Sequence, residues 1–165
     1  MKIPKLSLTF TTFLLGGYLL SFFNIGGSLF SFASLPAIFY TFIASPFESG
    51  LLGGLIFLAS GLYKGFPEDI IPRILISISV GLGVYLFAFF REKDIKISLL
   101  LLSIIPPLLT FFSLFFFYGV DIAATMTKAL IFTMVFNGTS AIVIRKAINK
   151  KNQKGVFAEW LNSRR

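Results

Sequence analysis

Apolar residues arrive along this chain in long runs, broken by short clusters of charge, glycine and proline. Six runs read as helices that cross a bilayer, over 6–23, 29–44, 47–63, 70–90, 97–118 and 122–144. The second and third are separated only by Ala44-Ser45-Pro46-Phe47-Glu48-Ser49-Gly50, which predicts a tight hairpin and a proline-led helix start. The first run follows Lys2 and Lys5, as a signal peptide would. Ser21-Phe22-Phe23-Asn24 offers no convincing cleavage site, so it is read as a retained helix. There is no internal repeat. The predicted fold class is all-α: a polytopic six-helix bundle over 1–145 with a basic tail over 146–165.

Composition agrees with the pattern. Of 165 residues, 56% are hydrophobic and 13% charged, and 22 are Phe. Soluble domains carry roughly 25% charge. Six crossings of about 20 residues each use most of the chain, which leaves no room for a folded soluble domain. The absence of Cys removes thiol nucleophiles and disulfides, and the absence of His removes imidazole bases and the usual haem and zinc ligands. No catalytic residues and no metal set are predicted. The seven carboxylates fall in loops or at helix ends, which disfavours a proton-coupled carrier.

Charge then orients the bundle. One side collects Lys2, Lys5, Arg91, Lys93, Lys96 and the tail residues Arg145, Lys146, Lys150, Lys151, Lys154, Arg164 and Arg165; the other holds Lys64, Arg73 and Lys128. Under the positive-inside rule both termini face the cytoplasm, as an even number of crossings requires. The net charge of +8 is therefore mostly topology, and a nucleic-acid partner is not expected. The tail either meets anionic headgroups, with Trp160, Phe157 and Leu161 resting at the interface, or is simply solvated.

Small and polar residues inside the runs supply candidate sites. Thr9, Thr12 and Gly16 form a small-residue stripe on the first helix, and Gly50, Gly54 and Gly61 form another on the third. Such stripes either pack the bundle or dock a second membrane protein, and the first helix is the better docking candidate. Asp121, Thr125 and Lys128 project to nearly one face of the last helix and could present a carboxylate, a hydroxyl and a cation to an outward cavity. The alternatives are a helix-capping Asp121 and a snorkelling Lys128. Arg73 and Ser77 on the fourth helix, Thr110 and Ser113 on the fifth, and Phe residues such as Phe112 or Phe117 are further candidates. Pro106-Pro107 predicts a kink that frees backbone carbonyls. Asn137 reads as a helix–helix hydrogen bond.

Three stretches resemble the substrate-binding S component of energy-coupling factor (ECF) transporters. The first is Leu29-Phe30-Ser31-Phe32-Ala33-Ser34-Leu35-Pro36-Ala37-Ile38 followed by Ser45-Pro46-Phe47-Glu48-Ser49-Gly50-Leu51-Leu52-Gly53-Gly54, similar to a run ending in Leu-x-Pro and a Gly-Pro-x-x-Gly hairpin. The second is Ile71-Pro72-Arg73, similar to the family's opening of the fourth helix. The third is Thr125-Met126-Thr127-Lys128-Ala129, where family members often read Asn-x-x-Lys-Gly. Thr125 stands in place of Asn, and Ser45 in place of the hairpin Gly. The resemblance implies a multi-pass subunit of the cell membrane that is not itself an enzyme. It would bind a vitamin such as riboflavin, contact a membrane-embedded T component through Thr9, Thr12 and Gly16, and be energised by two ABC ATPases. The chain has no Gly-x-x-x-x-Gly-Lys-Ser/Thr loop of its own. No intrinsic cofactor is expected. Lys128, Thr125, Asp121, Arg73, Ser77, Thr110 and Phe117 are the expected solute contacts. The rival reading is a structural scaffold of a cell-shape complex, like the MreD family, without a transported ligand.

Overall fold

The computed structural model describes residues 5–22, 24–25, 30–64 and 69–162, with side chains described over 8–22, 31–61 and 69–150. Six helices follow in order: α1 (Lys5–Leu20), α2 (Ser34–Tyr40), α3 (Pro46–Lys64), α4 (Ile70–Phe90), α5 (Ile95–Tyr118) and α6 (Val120–Asn162). Between α1 and α2 lies a two-stranded antiparallel ladder, β1 (Asn24–Ile25) and β2 (Phe30–Ser31), pairing Asn24 with Ser31 and Ile25 with Phe30. Among the described residues, three helical segments are long and apolar enough to cross a bilayer: α4, α5 and Val120–Lys150 of α6. Leu8–Leu20 of α1 is a shorter apolar helix. Large side chains point outward along these rods, with Phe116 79% and Phe132 63% exposed. So much contiguous apolar surface is tolerable only where the solvent is lipid, and the protein is a membrane protein.

The local starts are written in the sequence. Ser45 and Glu48 close a capping box on α3: Ser45 Oγ accepts from Glu48 N–H at 3.3 Å, and Glu48 Oε2 accepts from Ser45 N–H at 3.1 Å and Ser45 Oγ at 2.9 Å. Pro46 opens that helix, where its missing N–H costs nothing. Asp94 caps α5, its Oδ1 accepting from Lys96 N–H at 2.7 Å. α5 runs as helix through Pro106 and Pro107, and α4 supplies Gly83 opposite the Pro106 ring.

The run over 29–44 departs from its prediction as a full crossing. It contains β2 and the seven-residue α2, about 10 Å of helix. One more helical turn follows, with Ala44 N–H bonded to Tyr40 C=O at 3.1 Å. Hydropathy averaged over a window cannot register that Ser31 and Ser34 are claimed by a distant partner, described below. At the other end of the chain, α6 continues without a break past 145 and through most of the predicted tail. The side chains of Phe157, Trp160 and Leu161 lie outside the described residues.

The core is one cluster along the bundle axis, including Ile38, Leu52, Ile56, Val80, Val84, Phe87, Leu102, Leu114 and Met134. α3 packs on α4, α4 on α5 and α5 on α6, while α2 bridges α3 and α6 and α1 lies against α2 and α3. At the end of the bundle that carries the α5–α6 turn, Tyr118 joins α5 to α4. Its hydroxyl donates to Asp69 Oδ2 at 3.0 Å and accepts from Asp69 N–H at 3.3 Å. Tyr118→Phe is expected to cost about 1 kcal/mol, read as a lower thermal midpoint in detergent; an unchanged midpoint would show that this tie is not felt.

Candidate functional site

The half-length α2 shapes the bundle around it. Its first residue is fixed by Asn137, which is 1% exposed. The Asn137 amide donates to Ser31 C=O at 2.9 Å and to Ser34 Oγ at 2.7 Å. Phe32 adds an edge-on contact to Phe136 of α6 at 5.7 Å. Asn137 lies well inside α6, roughly 25 Å from its first residue at 1.5 Å per residue. α2 therefore fills its column only in the half of the bundle remote from the α5–α6 turn. Towards the α5–α6 turn, the chain that leads into this column is the β1–β2 segment, whose β2 packs on α6. The predicted helix–helix role of Asn137 holds for Ser34 and extends to the strand.

The expected solute contacts separate into three groups. Arg73 and Ser77 are buried at the α3–α4 contact, where Arg73 lies under Gly61 and Ser77 Oγ donates to Arg73 C=O at 2.7 Å. Thr110 is buried in α5, 3% exposed, and its Oγ1 meets no hydrogen-bond partner among the described residues. Asp121, Thr125, Lys128 and Phe117 are exposed. Asp121 lies in the first turn of α6, where the helix dipole favours a carboxylate. Thr125 Oγ1 donates to Asp121 C=O at 2.9 Å. Lys128 shares its outward face with Val135 and Phe132, so this face does not turn inward with Thr110.

The inward face of α6 is instead Ala123, Thr127, Leu130, Met134 and Asn137. Thr127 was not singled out from the sequence, yet its Oγ1 is also buried and unpartnered. Thr110 and Thr127 stand at matching depth on either side of the Gly119 turn. An inward hydroxyl is indistinguishable from its neighbours in a hydropathy plot; only the phase of α6 against α5, set by packing, picks out Thr127 over Thr125. Among the described residues no three His, Cys, Asp or Glu converge on a metal position.

The two small-residue stripes behave differently. Gly50 and Gly54 face Gly81 and Ser77 across the α3–α4 contact, so that stripe packs the bundle. On α1, Gly17 faces Ile56, while Thr12 is exposed and a Cβ built on Gly16 would meet nothing within 4 Å. The Thr12–Gly16 strip is thus open surface.

No family model matches the chain, and no curated protein does. Among solved structures, it is similar to the S component of a bacterial ECF transporter, with a TM-score of 0.63 over 87% of this chain and 95% of that one, at 13% identity. Six helices, a half-length second helix and a strand segment before it are arranged here in the fold of an ECF-transporter S component.

Proposed function

We infer that the protein is the solute-capture subunit of an ECF-type importer. The observation that carries this reading is the fold likeness over nearly the whole length of both chains. In this reading the chain crosses the membrane six times, the β1–β2 segment and α2 together making the second crossing, and both termini are cytoplasmic. The solute enters from the α5–α6 turn side, into the column that α2 leaves to the strands. Thr110 and Thr127 are its innermost polar contacts, because two buried hydroxyls without partners cost about 1–3 kcal/mol each until something bonds them. Arg73 and Ser77 lie toward α3 and Phe117, two turns along α5 from Thr110, stands at the rim, while Asp121 and Thr125 share the outward face of α6 with Lys128. Lys128 snorkels to headgroups from its outward face. A vitamin such as riboflavin is the solute class, and the Thr9, Thr12 and Gly16 strip faces a T component that works with two ABC ATPases.

Purification in mild detergent from the native membrane, with mass spectrometry of associated proteins and heat-released small molecules, tests this. One vitamin-like molecule per chain, with ATPases and a second membrane protein, is expected. Cell-shape partners and no small molecule would overturn the reading in favour of a scaffold. With the released solute in hand, Thr110→Val is expected to weaken binding about tenfold, while raising stability by about 1 kcal/mol because an unsatisfied hydroxyl is removed. Lys128→Met should leave affinity unchanged. The opposite pattern would return Lys128 to the pocket.

A further inference from the structure

At the opposite end of the bundle, two arginines share one phenyl ring. Phe42, in the turn after α2, has the guanidinium carbon of Arg145 at 4.4 Å from its ring centre and that of Arg91 at 5.8 Å. The ring is held edge-on by Phe39 and Phe87, each at 6.1 Å. Arg91 caps α4, and its side chain is only 11% exposed. Its Nη2 stands 3.5 Å from Glu92 Oε1, on a carboxylate that is 81% exposed. Its Nη1 is buried and has no partner among the described residues. Burial pushes the Arg91 guanidinium below the ordinary arginine range; Glu92 opposes the shift, and the positive charge of Arg145 adds to it.

Among the described residues, the other carboxylates at this end are already engaged, Asp94 in capping α5 and Glu48 in the box with Ser45. Arg145, on the exposed side of α6, has no ion pair among the described residues. The pair is therefore two fork-shaped donors on a shared platform, with positive charge in excess and one donor unsatisfied. Guanidinium forks match phosphate oxygens in pairs.

We propose that Arg91 and Arg145, set on Phe42, form a binding site for the phosphate of an anionic phospholipid. The source is a lipid because the site sits where apolar rods give way to charge. Beside it, Ile43 follows Phe42 in the chain and is 58% exposed, offering acyl chains an apolar surface next to the platform. Lys93, lying over the Phe89 ring at 5.3 Å, marks the same headgroup level. The positive-inside reading makes this the cytoplasmic leaflet. The site itself does not depend on the transport reading.

The test is native mass spectrometry of the full chain in detergent, titrated with phosphatidylglycerol or phosphatidylcholine. Selective retention of phosphatidylglycerol is expected, and it should persist against millimolar inorganic phosphate. Arg145→Gln changes an exposed side chain and leaves the fold intact; it should weaken that binding about fivefold, the effect of one basic group at a membrane surface. Arg91→Lys, which keeps the charge and loses the fork, should weaken it as well. Lys146→Gln should leave it unchanged. Equal losses in Lys146→Gln and Arg145→Gln would mean diffuse attraction and overturn the site. Displacement by inorganic phosphate would overturn the lipid assignment. Unaltered lipid binding in Arg145→Gln, with loss of a co-purifying membrane protein instead, would overturn it in favour of a protein carboxylate.

Discussion

Gly81→Ala is expected to destabilise the protein by about 2 kcal/mol, as overpacking of a tight helix contact does. A Cβ at this position would stand 2.8 Å from Gly50 O and 3.4 Å from Gly54 N. Both are backbone atoms of α3, so no rotamer change relieves the clash and the two helices must move apart. The contact is reciprocal: a Cβ on Gly50 would stand 2.9 Å from Gly81 O, and one on Gly54 3.1 Å from Ser77 O. In lipid no hydrophobic drive compensates for lost packing, so close approach is the main attraction between these helices. The measurement is the thermal midpoint in detergent, with Gly16→Ala as the control. Gly16 is equally helical but open, and alanine there should be neutral or stabilising by helix propensity. Equal midpoints for the two variants would show that the α3–α4 seam is not the constraint it looks to be.

Asn137→Leu should cost about 2 kcal/mol and loosen the chain that α2 begins. It removes both donors that hold Ser31 C=O and Ser34 Oγ. Buried hydrogen bonds between membrane helices average about 0.6 kcal/mol and reach about 1.7. Unlike the glycine variant, this one should act locally. Amide hydrogen exchange over 31–38 is expected to quicken while α4 and α5 stay protected. Should the solute pocket lie under the strands, binding weakens in the same variant. Unchanged exchange over 31–38 would mean that the contacts of α2 with α3, not Asn137, hold the segment.

These two positions also measure what the sequence alone could convey. The spacing of Gly50 and Gly54 pointed to a packing stripe, and Pro46 to a helix start, because both signals are local. The boundaries of α4 were equally legible, since Asp69 and Arg91 bracket a long apolar run whose one charge is Arg73. Asn137 was legible as a hydrogen-bonding residue, but its partners lie 103 and 106 positions away. The apolar run that contains those partners therefore read as a full crossing. The candidate site divided in the same way. Thr110 was named from its depth in α5, whereas Thr127 was passed over for Thr125 and Lys128. One residue along a helix turns the side chain by about 100°, and only the neighbouring helices fix which of them faces in. Arg91 and Arg145 were counted as topology, and a charge count does not reveal that Phe42 gathers them.

The uninterrupted course of α6 has a mechanical consequence. Its 43 residues make a rod about 65 Å long, more than twice the roughly 30 Å of hydrocarbon it must traverse. A rod pivoting near one end magnifies motion at the other. Tilting it by about 10° carries the far tip through roughly 11 Å, by the rise per residue alone. The inward hydroxyl of Thr127 is near the short arm, and the basic stretch beyond Arg145 is at the end of the long one. In the importer reading, a small rearrangement around Thr127 would be converted into a displacement of the basic stretch large enough to engage or release a partner beneath the membrane.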